Sequence, residues 1–123
     1  MIFNREEQQL MLEGNLLSRE DVKRLVANCT DATPVFLCEL YRFLDDWFND
    51  SPYLTVKTSG STGTPKQMKV LKDRMMQSAR LTCEYLGLRR GDSALLCMPL
   101  QYIAGKMVVV RALVAGLDLV VRT

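Results

Sequence analysis

The sequence contains no histidine among its 123 residues. This absence excludes Ser-His-Asp and Cys-His catalysis, zinc sites built on histidine, and histidine-based pH switches within this chain. An excess of charge of one sign is also lacking, because 16 basic residues stand against 14 acidic ones and the net charge is only +2. Such a balance gives no reason to expect a partner that is a nucleic acid or a membrane surface.

Paired cysteines and long apolar runs are lacking as well. The four cysteines are Cys29, Cys38, Cys83 and Cys97, with no Cys-x-x-Cys pair among them, so we expect reduced, buried thiols and neither a disulfide scaffold nor a metal site. The N-terminus is charged by its fifth residue and therefore does not resemble a signal peptide. The uncharged residues 93–105 are too few to span a bilayer. We expect a cytoplasmic protein.

What the sequence does have is 48% hydrophobic residues in alternating helix and strand patterns. Helices are predicted from the Ser18 cap, from Thr33 (N-cap) and Pro34 (first turn), and over residues 72–86 with Gly87 ending the third. Strands are predicted at 53–57, 66–71, 93–98 and 117–121. Residues 103–115 are apolar almost throughout, and periodicity leaves helix or strand open there. Together these patterns predict an α/β fold.

Two of the predicted helices have an apolar face that we expect to lie in the core. On the second helix this face comprises Leu37, Leu40, Tyr41, Leu44, Trp47 and Phe48. On the third helix it comprises Met76, Ala79, Cys83 and Leu86.

Residues 58–66 form the one segment that is neither ordinary core nor ordinary surface. They are Thr58, Ser59, Gly60, Ser61, Thr62, Gly63, Thr64, Pro65 and Lys66. The glycines allow the backbone N–H groups to approach a ligand closely, while the hydroxyls add donors and the lysine adds a positive charge. Such a set of groups suits a polyphosphate.

The segment is not a Walker P-loop, because Pro65 stands where that motif has its second glycine and Gln67 follows the lysine. A strand is also predicted after it, so no helix N-terminus would face the phosphates. A hairpin loop rich in turn residues, with no ligand, is the alternative interpretation.

The nonapeptide TSGSTGTPK resembles the phosphate loop of the adenylate-forming superfamily, which includes acyl-CoA synthetases. A second block, MPLQYIAG at residues 98–105, resembles the superfamily motif whose aromatic residue lines the carboxylate and adenylate pocket. Tyr102 holds that position here. The run over residues 93–117 is most similar to o-succinylbenzoate–CoA ligases of menaquinone biosynthesis.

The resemblance implies a two-step reaction with ATP, Mg²⁺ and coenzyme A. A carboxylate attacks the α-phosphorus of ATP to give an acyl-adenylate and pyrophosphate, and the coenzyme A thiol then displaces AMP. The attacking carboxylate is already ionised at neutral pH, so this step needs no general base. The resemblance places residues 58–64 and Lys66 on the phosphates, with Lys66 offsetting their charge during catalysis. It places Tyr102, Ile103, Ala104 and Gly105 around the acyl group.

Lys106 is a further candidate, because o-succinylbenzoate has a second carboxylate that does not react. The lysine could hold this group from the helix that follows, or it could extend into solvent.

The motifs that the superfamily uses for adenine, ribose and magnesium do not occur after Leu117. We therefore expect the 123 residues to be an N-terminal fragment of an adenylation domain, inactive alone, with an incomplete sheet. Its apolar surfaces would favour self-association through residues 117–121 or the helix around Met107. Two alternatives stay open: a non-catalytic nucleotide-binding or phosphate-binding domain that works with a partner chain, and an acyl-CoA synthetase for another class of acid.

Overall fold

The computed structural model describes residues 1–58 and 66–122, and it has the predicted α/β character. The α-helices in this part are α1 (Arg19–Ala27), α2 (Val35–Phe48), α3 (Lys72–Leu86) and α4 (Ile103–Ala115). The strands are β1 (Leu10–Leu12), β2 (Asn15–Leu17), β3 (Tyr53–Thr58), β4 (Lys66–Leu71), β5 (Ser93–Leu96) and β6 (Asp118–Val121). A short 3₁₀ turn, Arg5–Glu7, precedes β1.

The larger sheet has the strand order β2-β1-β6-β5. β1 and β2 form an antiparallel hairpin, while β6 runs parallel to β1 on one side and to β5 on the other. The expectation that residues 117–121 offer a free edge is therefore wrong, since β6 is paired on both sides. The free edges of this sheet, within the described residues, belong to β2 and β5.

The helix starts follow local chemistry, with one correction. The Ser18 hydroxyl accepts from the Asp21 N–H at 3.3 Å, and the Asp21 carboxylate accepts from the Ser18 N–H at 2.9 Å, so the predicted capping box is present. Helix α2 instead begins at Val35 with Pro34 as its N-cap and no side-chain cap. Thr33 does not cap it, because its hydroxyl accepts from the Thr30 N–H in the preceding turn.

Residues 103–115, whose type the sequence left open, form helix α4. Most of the helix is buried, including the Val108, Val109 and Val110 run. It contacts helix α3 and strands β1, β3, β5 and β6. A helix enclosed on most sides needs no polar face, and this explains why periodicity did not reveal it.

Some residues that were expected in the core are not buried, and neighbouring residues are buried in their place. On α2, Leu37 and Tyr41 are only half-buried, and Cys38 and Phe43 are buried instead. On α3, Leu86 is exposed and Met75 is buried.

The cysteines and the helix around Met107 need similar corrections. Cys38 and Cys83 are buried, whereas Cys29 is half-buried and Cys97 is exposed because it follows the end of edge strand β5. The Met107 side chain is buried in the core and offers no surface for self-association, whereas Ile103 at the start of the same helix is exposed.

The C-terminus of α2 is held by two cations from other segments. The Lys72 ammonium is fully buried and donates to the Asp46 carbonyl at 2.6 Å and to Asn49 Oδ1 at 2.7 Å. The Arg5 guanidinium donates to the carbonyls of Trp47 and Asn49 at 2.7 and 2.8 Å. Because Lys72 directly follows β4, this contact ties the β3–β4 hairpin to α2.

In the part of the chain that the structure describes, no helix has both the length and the apolarity to cross a membrane.

Candidate functional site

The predicted phosphate-loop sequence is flanked in the chain by the two strands of the β3–β4 hairpin. Its antiparallel register runs from the pair Tyr53 and Leu71 to the pair Thr58 and Lys66. Thr58 and Lys66 are therefore opposite each other where the strands meet the loop. The remaining candidates, Ser59, Gly60, Ser61, Thr62, Gly63 and Thr64, lie outside the described residues.

Buried and exposed side chains alternate along β3, and this alternation determines which of them a ligand could reach. Leu54 and Val56 are 4% and 1% exposed and pack inward, so Thr55 and Lys57 point to the opposite, exposed face. Lys57 is thus an exposed cation next to the first residue of the candidate phosphate loop.

The strand that leads into the first sequence block lies beside the second block. The backbone of Lys57 forms an isolated parallel bridge with Tyr102, the residue that precedes α4. The strand leading into residues 58–66 is therefore fixed beside the start of residues 102–105.

A cleft of about 580 Å³ opens at this junction and has a mostly apolar lining. It is lined by the four predicted acyl-site residues Tyr102, Ile103, Ala104 and Gly105, together with Lys57, Met98 and Pro99. Its size is in the range expected of a small-molecule site. Sequence reasoning missed Lys57, although the alternation of β3 could have placed it on the exposed face beside the loop.

Gly105 is required by a close backbone approach. A Cβ at this position would lie 2.4 Å from the Pro99 carbonyl oxygen and 3.2 Å from that of Met98. Only glycine lets the first turn of α4 pack this closely on the Met98 and Pro99 backbone. The cleft wall formed by Pro99 and Gly105 therefore requires a residue without a side chain at position 105.

Lys106 lies on a different side of the helix. Its ammonium donates to the Leu100 carbonyl and stands 5.7 Å from the centroid of the Phe43 ring. It lines a separate cleft of about 250 Å³ against α2 and β3, not the cleft of Tyr102. Burial lowers the pKa of Lys106, while Asp46 and Glu39 oppose that shift and Lys57 adds to it.

Lys66 is exposed at the start of β4, across from Thr58. A cationic side chain at the exit of the loop is suitably placed for an anionic ligand there. For metals, the described residues contain no group of three or more carboxylate, thiol or imidazole side chains that could hold an ion. We therefore assign no magnesium ligand to this part of the chain.

Comparison with solved structures gives a match to a protein from Dyadobacter fermentans DSM 18053, described as an acyl-CoA synthetase (AMP-forming)/AMP-acid ligase II-like protein. The two share 32% sequence identity with a TM-score of 0.69, and the match covers 81% of this chain and 29% of that chain. The likeness supports the adenylate-forming superfamily. The α/β fold of the chain matches a partial piece of an AMP-forming ligase domain. No protein-family model and no curated protein gives a significant match.

Proposed function

We propose that this chain is the N-terminal part of an ATP-dependent acyl-CoA ligase that forms an acyl-adenylate and then a coenzyme A thioester. The observation that carries the proposal is the backbone bridge between Lys57 and Tyr102. It supports the proposal because the strand that leads into the phosphate-loop-like sequence lies next to the cleft of residues 102–105. Joining an acid to a nucleotide requires these two ligands to be side by side.

We assign the phosphates and the acyl group to two different sets of residues. In the proposal, residues 58–64 and Lys66 hold the β- and γ-phosphates of ATP, and Lys66 offsets the charge of the departing pyrophosphate. Tyr102 and the first turn of α4 line the space for the acyl group. The acid attacks as a carboxylate, which needs no proton acceptor, so the absence of histidine is no obstacle. Coenzyme A and Mg²⁺ would be used by the whole enzyme, and no described residue is assigned to them.

The finer proposal is that the acid is o-succinylbenzoate, as used in menaquinone biosynthesis. Two features support it: the similarity of residues 93–117 to ligases for that acid, and a mostly apolar cleft large enough for an aromatic acid. Because the chain spans only 29% of the matched structure, we expect no thioester formation by these residues alone.

A calorimetric titration of the chain with Mg-ATP tests the phosphate site. We expect the wild type to bind and Lys66→Ala to bind about tenfold more weakly, since a charged contact to phosphate is lost. Lys69→Ala is the matched control, because Lys69 is an exposed lysine on the same strand opposite Thr55, away from the loop.

Absence of Mg-ATP binding by the wild type would contradict a phosphate site formed by this chain. An equal loss in the Lys66→Ala and Lys69→Ala variants would indicate only a general effect of positive charge.

A further inference from the structure

The candidate acyl cleft is lined by a basic residue, Lys57, that the sequence motifs do not include. Lys57 is its only basic lining residue among the described residues, and the remaining lining is the Met98–Pro99 turn and residues 102–105. The backbone bridge to Tyr102 fixes the strand position from which the Lys57 side chain leaves.

The Lys57 ammonium is available for a ligand. Within residues 1–57 and 66–122 it takes part in none of the ion pairs, which join Arg19 to Asp50, Arg24 to Asp21, Arg80 to Glu84 and Arg122 to Glu13. The residue opposite Lys57 on the neighbouring strand is Gln67, which carries no charge. The charge of Lys57 is therefore not neutralised by a neighbouring carboxylate in an ion pair.

Lys106, another lysine near the junction, already has partners for its ammonium group. Its ammonium binds the Leu100 carbonyl, faces the Phe43 ring and is near the acids Asp46 and Glu39. It also lines the separate cleft against α2. Of Lys57 and Lys106, Lys57 is therefore the residue that lines the cleft of Tyr102.

We infer that Lys57 is a specificity-determining residue, which binds a second anionic group at the far end of an acid whose apolar body fills the cleft. This inference rests on the proposed function and adds to it the residue that would select a dicarboxylate over a monocarboxylate. A mostly apolar cleft with Lys57 in its described lining suits such an acid, since the body gains from burial and the second carboxylate gains a charged hydrogen bond.

The test compares two acids by ¹⁵N NMR titration of the chain. The probes are o-succinylbenzoate and 4-oxo-4-phenylbutanoate, which differ only in the carboxylate on the ring. We expect the wild type to prefer o-succinylbenzoate by at least about fivefold, the modest gain of one partly exposed charged contact. Lys57→Met should remove this preference, with little change in the affinity for 4-oxo-4-phenylbutanoate.

Two further variants separate charge from structure. Lys57→Arg retains the charge and should retain the preference, and Lys69→Met, an exposed lysine on the neighbouring strand, should leave both affinities unchanged. Because Lys57 is exposed, its variants should keep the wild-type unfolding midpoint.

The failures of the two proposals are distinguishable. An equal loss of both acids in Lys57→Met, or a loss of Mg-ATP binding instead, would overturn the role of Lys57. Binding of Mg-ATP without binding of o-succinylbenzoate by the wild type would overturn it too, while leaving the phosphate site intact. Binding of neither ligand would contradict both proposals.

Discussion

At the scale of single residues, Gly105 determines how closely α4 packs on the Met98 and Pro99 backbone. A glycine-to-alanine change inside a helix ordinarily stabilises by about 0.5–1 kcal/mol. Here we expect the opposite sign, a loss of roughly 1–3 kcal/mol, because the new methyl group would overlap a carbonyl oxygen 2.4 Å away. Denaturant unfolding of Gly105→Ala would measure this loss.

Ala104→Ser is the control for that change, since Ala104 is the preceding residue of α4 and is exposed. It should change the free energy of unfolding by less than about 0.5 kcal/mol. A Gly105→Ala variant as stable as the wild type would show that the backbone contact with Pro99 is not tight in solution.

Single residues also show how far neighbours along the chain stay together in the structure. Tyr102, Ile103, Ala104 and Gly105 were predicted to act together and do line one cleft, because neighbours along a chain stay neighbours at a helix start. Lys106 is the next residue, yet it lies in another cleft, since a helix turns about 100° per residue. The pairing of Lys57 with Tyr102 depends on how a hairpin packs against a distant helix, and no local pattern encodes that contact.

At the scale of elements, the end of α2 depends on a buried ammonium. Burial lowers the pKa of Lys72 to about 8, with a further lowering from Arg5 that Asp46 and Asp50 oppose. The unfolded chain, with an ordinary lysine pKa of 10.5, binds this proton more strongly than the folded one. The contribution of Lys72 to the free energy of unfolding should therefore rise as the pH increases from 8 towards 10.5.

This prediction is measured as a difference between wild type and Lys72→Met in denaturant unfolding at several pH values. The stability of the wild type relative to the variant should increase by roughly 2–3 kcal/mol between neutral pH and about pH 10, since each pKa unit is worth about 1.4 kcal/mol. Taking the difference cancels the other groups that titrate there. A difference that stays constant with pH would mean that Lys72 keeps an ordinary pKa in the folded protein.

The elements themselves were largely predictable. The capping box of α1, the Gly87 end of α3 and both strands of the hairpin follow local signals that the structure confirms. The type of α4 was not predictable, because three consecutive valines favour a strand locally and only burial among several elements selects the helix. The cap of α2 was misplaced by one residue because the Thr33 hydroxyl had a competing partner in the turn.

At the scale of the whole molecule, β5 is one of the two edge strands of the larger sheet among the described residues. Leu95 on this strand is 56% exposed, and Met98 and Ile103 nearby are exposed as well. We expect self-association through this edge, since an unpaired strand with apolar side chains pairs readily with another copy. In sedimentation velocity, Leu95→Lys should shift the chain towards monomer.

Leu86→Lys is a matched control for that experiment. Leu86 is 59% exposed, which is close to the exposure of Leu95. It lies at the end of α3 and not on the edge of a sheet. It should leave the association unchanged. A wild type that is monomeric over a wide concentration range would contradict association through β5.

The central position of β6 has a consequence for how the chain folds. The pairs Met11 with Asp118 and Leu12 with Leu119 join residues from opposite ends of the sequence. The larger sheet therefore cannot form during synthesis until residues 118–121 have left the ribosome, and until then the β1–β2 hairpin lacks its neighbouring strand. Closing so long a loop is entropically costly, so this sheet should be the slow step of folding, whereas α1, α2 and the β3–β4 hairpin can form from local contacts alone.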